Sequence, residues 1–368
     1  MHKIRKLVFA IAIAMVVGVF WYYIVQSNKE KLIRVGVIGH FSGAYVEYGV
    51  PMKKAIELAT DKINQSREAN KQKIELIFED DNSAANSAAS AMNKLISIDN
   101  VNYILSAQGS GIAAAVAPIA NNNKRIMIIT LGSAPDLTKS GDYIFRSIPS
   151  DVYQAIKMVD LINNNLGSKK VVGLYINDSY GVGIKNIINA NSNIINVASE
   201  MFESQATDFR TQLLKIKESE ADTLVVVAHT EYPLILKQIK ELNLHLKIIA
   251  SETFKDDALL SQSGSTAEGV MVTFMADQKD YVGFSNNYQA KFNEKPSAYS
   301  MYAYDGFIAL SKAIKDGGNN IEKVRSSLSQ LQFNGASGVV GFDNHRDRTG
   351  SEYIVYIVKN GQFVPYQQ

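Results

Sequence analysis

Residues 101–137 read VNYILSAQGSGIAAAVAPIANNNKRIMIITLGSAPDL. An apolar run, VNYIL, enters SAQGSGI (Ser106–Ile112), and an alanine-rich helical stretch, IAAAVAPIANN, follows. A second apolar run, RIMIIT, then enters LGSAPDL, beginning at Leu131. Strand, helix and strand in this order lie side by side and parallel, because a helical crossover returns the chain to the same end of the sheet. Both strands therefore end on one edge, in loops of glycine and serine. In open α/β sheets that edge is where ligands bind.

The alternation extends both ways. Upstream, IRVGVI and KIELIFED read as strands, and YGVPMKKAIELATDKIN carries Met52, Ala55, Ile56, Ala59 and Ile63 at helical spacing. Downstream the series runs through KKVVGLYI, YGVGIKNIINAN, NIINVASEMF, DFRTQLLKIKESE, DTLVVVA, YPLILKQIKELN and LKIIAS. This βαβα order predicts doubly wound parallel sheets with helices on both faces, and the number of strands predicts two sheets rather than one. After GVMVTFM, helices dominate from Asp277 to Gln330, and the tail EYIVYIVKNGQFVPY reads as a hairpin turning at Asn360-Gly361. A terminal hairpin after a helical block predicts a chain that passes between lobes more than once.

Composition excludes several classes. The 368 residues are 46% apolar and 20% charged, which suits an ordinary globular protein. Formal net charge is +2, but five of the 38 Lys/Arg and one of the 36 Asp/Glu fall in residues 1–31, so the remainder is slightly acidic. No electrostatic footprint for nucleic acid is left. Cysteine is absent, which removes disulfides, thiolate chemistry and a lipid-modified N-terminal cysteine. His2, His40, His229, His245 and His345 are scattered without metal-ligand spacing, and no metal or cofactor is expected. Asp80-Asp81 reads as a solvated loop before the next helix.

The N-terminus, MHKIRK followed by LVFAIAIAMVVGVFWYYIV (residues 7–25), is a basic flank and an uncharged apolar segment. It predicts export, with residues 1–31 either a cleaved signal peptide or a retained membrane anchor. Either way the folded part stands in the periplasm or on the outer face of the cytoplasmic membrane.

Gly109-Ser110-Gly111-Ile112-Ala113-Ala114 matches a dinucleotide fingerprint, but it follows the third strand, and the next strand ends in Thr130 rather than an acidic residue. The physics of the loop survives without a nucleotide. A helix N-terminus presents unpaired N–H groups and partial positive charge, glycines admit close approach, and Ser110 adds a hydroxyl. This suits a small carboxylate, although Ser110 alone reads equally as a helix cap. Ser133, at the end of the neighbouring strand, favours the ligand reading.

From IRVGVIGHFSGAYVEYGVPMKKAIELATDKIN onward the chain resembles the type I periplasmic binding proteins of the leucine/isoleucine/valine class, the solute-binding subunits of amino-acid ABC importers. The resemblance continues through FEDDNS, APDLT, YIFRSIPSD, NDSYGVG, TDF, AEGVMVTF, YAYDGF and GVVGFD. It implies two α/β lobes joined by three crossovers, near Ile148, Ala276 and Val339. Lobe 1 would hold residues 32–148 and 276–338, and lobe 2 residues 149–275 and 339–368. It implies a monomer that captures an amino acid, performs no chemistry and delivers its ligand to a membrane permease. Some members of the superfamily instead report ligand occupancy to a receptor or regulator, and this alternative stays open.

Site residues follow from the same resemblance. Ser110, with Gly111, and Ser133 would take the ligand carboxylate, and Glu252 its ammonium. Tyr48 and Tyr180 would wall the cleft from opposite lobes. Leu131 and Gly132 stand where relatives favour two small residues, and Ala228 and His229 where relatives often carry an aromatic. These departures predict an altered side-chain pocket.

Overall fold

The computed structural model describes residues 31–66, 72–168, 170–190, 196–276, 280, 282–350 and 352–367. The apolar segment 7–25 lies outside them, and among the described residues no helix is long and apolar enough to cross a membrane.

Strands β1 (Lys31–Gly39), β2 (Gln72–Asp80), β3 (Tyr103–Ala107), β4 (Ile126–Ile129) and β5 (Ile144–Arg146) form a parallel sheet in the order β2-β1-β3-β4-β5. Helices α1 (Val46–Gln65), α2 (Ala85–Ser97) and α3 (Ser110–Asn122) make its crossovers. The chain then enters α4 (Asp151–Asp160), β6 (Val171–Ile176), α5 (Ser179–Asn189), β7 (Asn196–Phe202), α6 (Arg210–Glu218), β8 (Thr223–Val227), α7 (Tyr232–Glu241), β9 (Lys247–Ala250), α8 (Asp257–Ser263) and β10 (Met271–Met275). It returns through α9 (Phe284–Phe292), α10 (Ser300–Gly317), α11 (Ile321–Gln330) and the ribbon β11 (Gln332–Gly335)–β12 (Gly338–Gly341). It ends in β13 (Tyr353–Lys359) and β14 (Gln362–Pro365). The second sheet is seven-stranded, in the order β14-β13-β10-β9-β8-β6-β7, with only β13 and β14 antiparallel.

Residue periodicity explains the layers. In β3, Tyr103 and Leu105 face the core shared with α1, α9, α10 and α11, while Ile104 joins α2 and α3 on the other side. In β4, Ile126 and Ile128 take the first face, and Met127 and Ile129 the second. Strands buried on both faces read as continuous apolar runs, which is why VNYIL and RIMII lack alternation. The β13–β14 turn places Asn360 at φ 53° and Gly361 at φ 69°, the left-handed pair that a two-residue hairpin requires.

The chain passes from the first sheet to the second after β5 and back after β10. The third passage comes later than the expected Val339. Val339 lies in β12, which pairs with β11, and the second sheet begins only at Tyr353. The buried Asp305 on α10 causes this. It accepts hydrogen bonds from the N–H groups of Ala336 (2.8 Å) and Ser337 (2.7 Å) and from the Ser337 hydroxyl, holding the ribbon to the first lobe. The passages are stitched together as well. Arg146 N–H donates to the Arg346 carbonyl at 3.0 Å, and its guanidinium meets Asp347 at 2.8 Å.

Both sheets repeat one strand order. β1 lies between β2 and β3 as β6 lies between β7 and β8. Each therefore has a switch point where successive crossovers diverge and leave a crevice at the strands' carboxyl ends.

Candidate functional site

A cavity of about 240 Å³ lies between the lobes. Most of its wall comes from loops that follow strands: His40 after β1, Ser83 after β2, Gly109–Ile112 after β3, and Leu131 and Ser133 after β4. Facing them are Asp178 and Tyr180 after β6, Ser204 after β7, His229 after β8, and Glu252 and Thr253 after β9. Tyr45, Tyr48 and Tyr299 complete the lining.

The first lobe contributes hydrogen-bond donors. Ser110 opens α3, and its Oγ accepts the N–H groups of Ser133 and Ala134, each at 3.1 Å. An oxygen that accepts twice leaves its own O–H free to donate. The first intrahelical bond runs from Ala113 N–H to the Gly109 carbonyl, so the N–H groups of Ser110, Gly111 and Ile112 have no partner within the helix. The Ser133 loop is fixed from behind by Arg146, which donates to the carbonyls of Ser133 and Ala134 at 2.6 Å each.

The opposite wall is acidic. Glu252 starts a short turn after β9 and is 3% exposed. Burial pushes its carboxyl up to about 7, although it accepts the Tyr353 hydroxyl at 2.7 Å. Asp151, in the first turn of α4, is fully buried. Burial and then the neighbouring Glu252 carboxylate hold it well above the usual range, and the Ser133 hydroxyl and Arg146 offset this only in part. Neither Asp151 oxygen has a full hydrogen bond, and the Tyr299 hydroxyl is likewise without a partner. Two buried carboxyls that repel each other are stabilised by a proton kept on one of them or by a cation.

A third group lies toward Gly111. The Asp178 carboxylate caps α5 through the N–H groups of Tyr180 and Gly181, and meets His229 Nε2 at 2.7 Å. Burial would raise Asp178, but the His229 bond and the two N–H donors bring it below the usual range. Burial would lower His229, and the Asp178 carboxylate more than reverses this. Tyr180 stacks on His229 with centroids 5.3 Å apart.

Of the residues singled out in the sequence, Tyr48, Ser110, Gly111, Leu131, Ser133, Tyr180, His229 and Glu252 line this cavity. Gly132 and Ala228 do not. A Cβ at Gly132 would lie 3.0 Å from Leu137 Cδ1, so that position faces the first lobe's interior while Leu131 and Ser133 face the cavity. Ala228 is spent on backbone contacts, its N–H donating to the Tyr232 hydroxyl and its carbonyl accepting from Thr253 Oγ1. Sequence reasoning missed Asp151, Asp178, His40, Tyr45 and Tyr299. Asp151 and Asp178 lie inside YIFRSIPSD and NDSYGVG, where an acidic residue at a helix start reads as a cap. Tyr299 comes from the helical block, distant in sequence from every other wall residue.

Residues 32–362 match the family model described as periplasmic binding protein, and the chain belongs to that family of exported solute-binding proteins. Its relatives include the Leu/Ile/Val-binding protein homolog 3 of Brucella melitensis, 25% identical over 371 residues and covering 98% of each chain. An amino acid binding protein of Pseudomonas aeruginosa is 26% identical over 366 residues, covering 96% of this chain and 95% of the relative. The solved leucine binding protein LivK of Thermotoga maritima superposes with a TM-score of 0.82 at 26% identity, covering 91% of this chain and 98% of that one. LivJ of Streptococcus pneumoniae, a branched-chain amino acid transporter substrate binding protein in complex with isoleucine, gives 0.79 at 26% identity, covering 90% and 98%. The fold is therefore that of the type I periplasmic binding proteins.

Proposed function

We propose that this protein captures an α-amino acid, branched-chain or closely related, outside the cytoplasmic membrane and delivers it to an ABC permease. One observation carries the reading: Glu252 and the Ser110–Ser133 donor loops line one cavity from opposite sides, with the buried Asp151 carboxyl behind them, its N–H on the Ser133 carbonyl and its charge opposed by that of Glu252. An amino acid zwitterion matches both. Its carboxylate takes the Ser110 hydroxyl and the N–H groups opening α3, and its ammonium displaces the proton held by the acidic pair.

Capture needs no bond making. The first lobe binds the carboxylate, and the second lobe adds Glu252 and Tyr180 on closing. Contacts that exist only when both lobes touch the ligand favour the closed state. Tyr48, Tyr180, Leu131 and Ile112 leave apolar surface for the ligand side chain. The relatives, named for leucine, isoleucine and valine, make these the first ligands to test.

Titration calorimetry with L-leucine, its 2-oxo acid and its decarboxylated amine tests the two clamps separately. Tight binding of the amino acid and loss of at least ~100-fold with either analogue supports the reading, since each analogue leaves a buried charged partner unmatched. Equal binding of the 2-oxo acid overturns it.

A further inference from the structure

His40, on the loop between β1 and α1, is 1% exposed and borders the cavity, and both its ring nitrogens are engaged. Nε2 lies 2.8 Å from the Gly109 nitrogen. A peptide N–H only donates, so Nε2 is the acceptor. A neutral imidazole that accepts through Nε2 carries its proton on Nδ1. Nδ1 lies 2.8 Å from Asp81 Oδ1 and donates to it. Asp81 is held in turn by Ser83 N–H at 2.8 Å and, through Oδ2, by Gln108 Nε2 at 2.8 Å. Gln108 Oε1 accepts the Ser106 hydroxyl at 2.9 Å, which returns the chain of bonds to β3.

Gly109 is the N-cap of α3 and has no side chain to cap with. His40 supplies from another strand what a capping side chain supplies from within, an acceptor for a backbone donor at the helix start. The next residue is Ser110. The His40 ring also packs against Tyr45, centroids 5.5 Å apart, and the Tyr45 hydroxyl reaches Ser204 of the second lobe.

We infer that His40 is the positioning residue of the carboxylate-binding loop: as a neutral imidazole protonated at Nδ1, it holds Gly109 and so aims the Ser110 hydroxyl and the N–H groups of Ser110, Gly111 and Ile112 into the cavity. The ligand half of this statement rests on the amino-acid reading above. The tautomer and the hold on Gly109 do not.

Two substitutions separate the nitrogens. A glutamine oxygen reaches the place of Nε2, so H40Q keeps an acceptor for Gly109. An asparagine amide reaches only the place of Nδ1, so H40N keeps the donor to Asp81 and loses that acceptor. In the ligand-free protein, the His40 ring nitrogen shifts are expected to show a neutral ring with its proton on Nδ1. The Gly109 amide is expected to resist hydrogen exchange in wild type and H40Q and to exchange rapidly in H40N. Calorimetric affinity for L-leucine, L-isoleucine and L-valine is expected to fall roughly 10- to 100-fold in H40N and to recover for the most part in H40Q. A ring protonated on Nε2, a Gly109 amide unchanged in H40N, or H40N binding as tightly as H40Q would each overturn the inference. If wild type binds none of the three amino acids while the ring and amide results hold, the hold on Gly109 stands and the ligand reading fails.

Discussion

The Tyr45 hydroxyl and Ser204 Oγ are 2.6 Å apart, although the residues are 159 positions apart and belong to different lobes. Tyr45 also meets the His229 ring edge to face, with centroids 5.4 Å apart. The lobes are therefore closed on each other, and these contacts exist only in that state.

Tyr45→Phe removes the hydrogen bond and keeps the ring. One such bond contributes about 0.5–1.5 kcal/mol, so ligand affinity is expected to fall up to about tenfold. The loss should appear mainly as faster dissociation in stopped-flow measurements, with little change in melting temperature. An unchanged dissociation rate would show that this contact does not hold the cleft shut.

The acidic pair makes stability and binding depend on pH. The Glu252 carboxyl is raised to about 7 from an ordinary 4.5, with Asp151 shifted in the same direction. The folded, ligand-free protein thus keeps protons that the unfolded chain has already released. Stability falls as pH rises from about 5 to about 7, by up to roughly 1.4 kcal/mol per pH unit for each retained proton. The melting temperature of the ligand-free protein is expected to drop across that window, and Glu252→Gln should flatten the slope. An ammonium ligand displaces the proton, so calorimetry in buffers of different ionisation enthalpy should detect proton release near neutral pH, with tighter binding at higher pH.

Ser110 and Ser133 should fail differently. Ser110 Oγ takes the N–H groups of both Ser133 and Ala134, so Ser110→Ala leaves two donors without their acceptor and frees one loop from the other. It is expected to lower unfolding stability by about 1–3 kcal/mol and also to weaken binding. Ser133 joins the scaffold through its backbone, so Ser133→Ala should weaken binding at a smaller cost in stability. Chemical denaturation together with calorimetry on both variants checks the contrast.

The Asp178–His229 pair has its own pH signature. Asp178 is held below its ordinary value, so its contribution is lost as pH falls through the lowered value. His229 is held above its ordinary value, so its contribution is lost as pH rises through the raised one. The pair stabilises most between these limits, when both partners are charged. His229→Gln is therefore expected to destabilise the protein more at about pH 5.5 than at about pH 8.5. Equal destabilisation at both would mean that the histidine is neutral throughout.

Much of this protein was legible in its amino-acid order. Apolar runs of strand length separated by helical spacing gave parallel sheets, and small residues after β3 and β4 marked Ser110 and Ser133. Those signals are local: buried strands need apolar side chains on both faces, and a helix start that meets an anion needs glycine and hydroxyl groups. Only the tertiary structure decided which distant charges meet. Asp151 and Glu252 are 101 positions apart and affect each other only because the start of α4 and the turn after β9 are folded beside one another. His40 became a partner of Gly109 because β1 and β3 are neighbours, a consequence of strand order and not of either residue's surroundings in the chain. Charge interactions and hydrogen bonds depend on distance and direction in space, and the folded chain sets both through contacts that no local stretch of sequence contains.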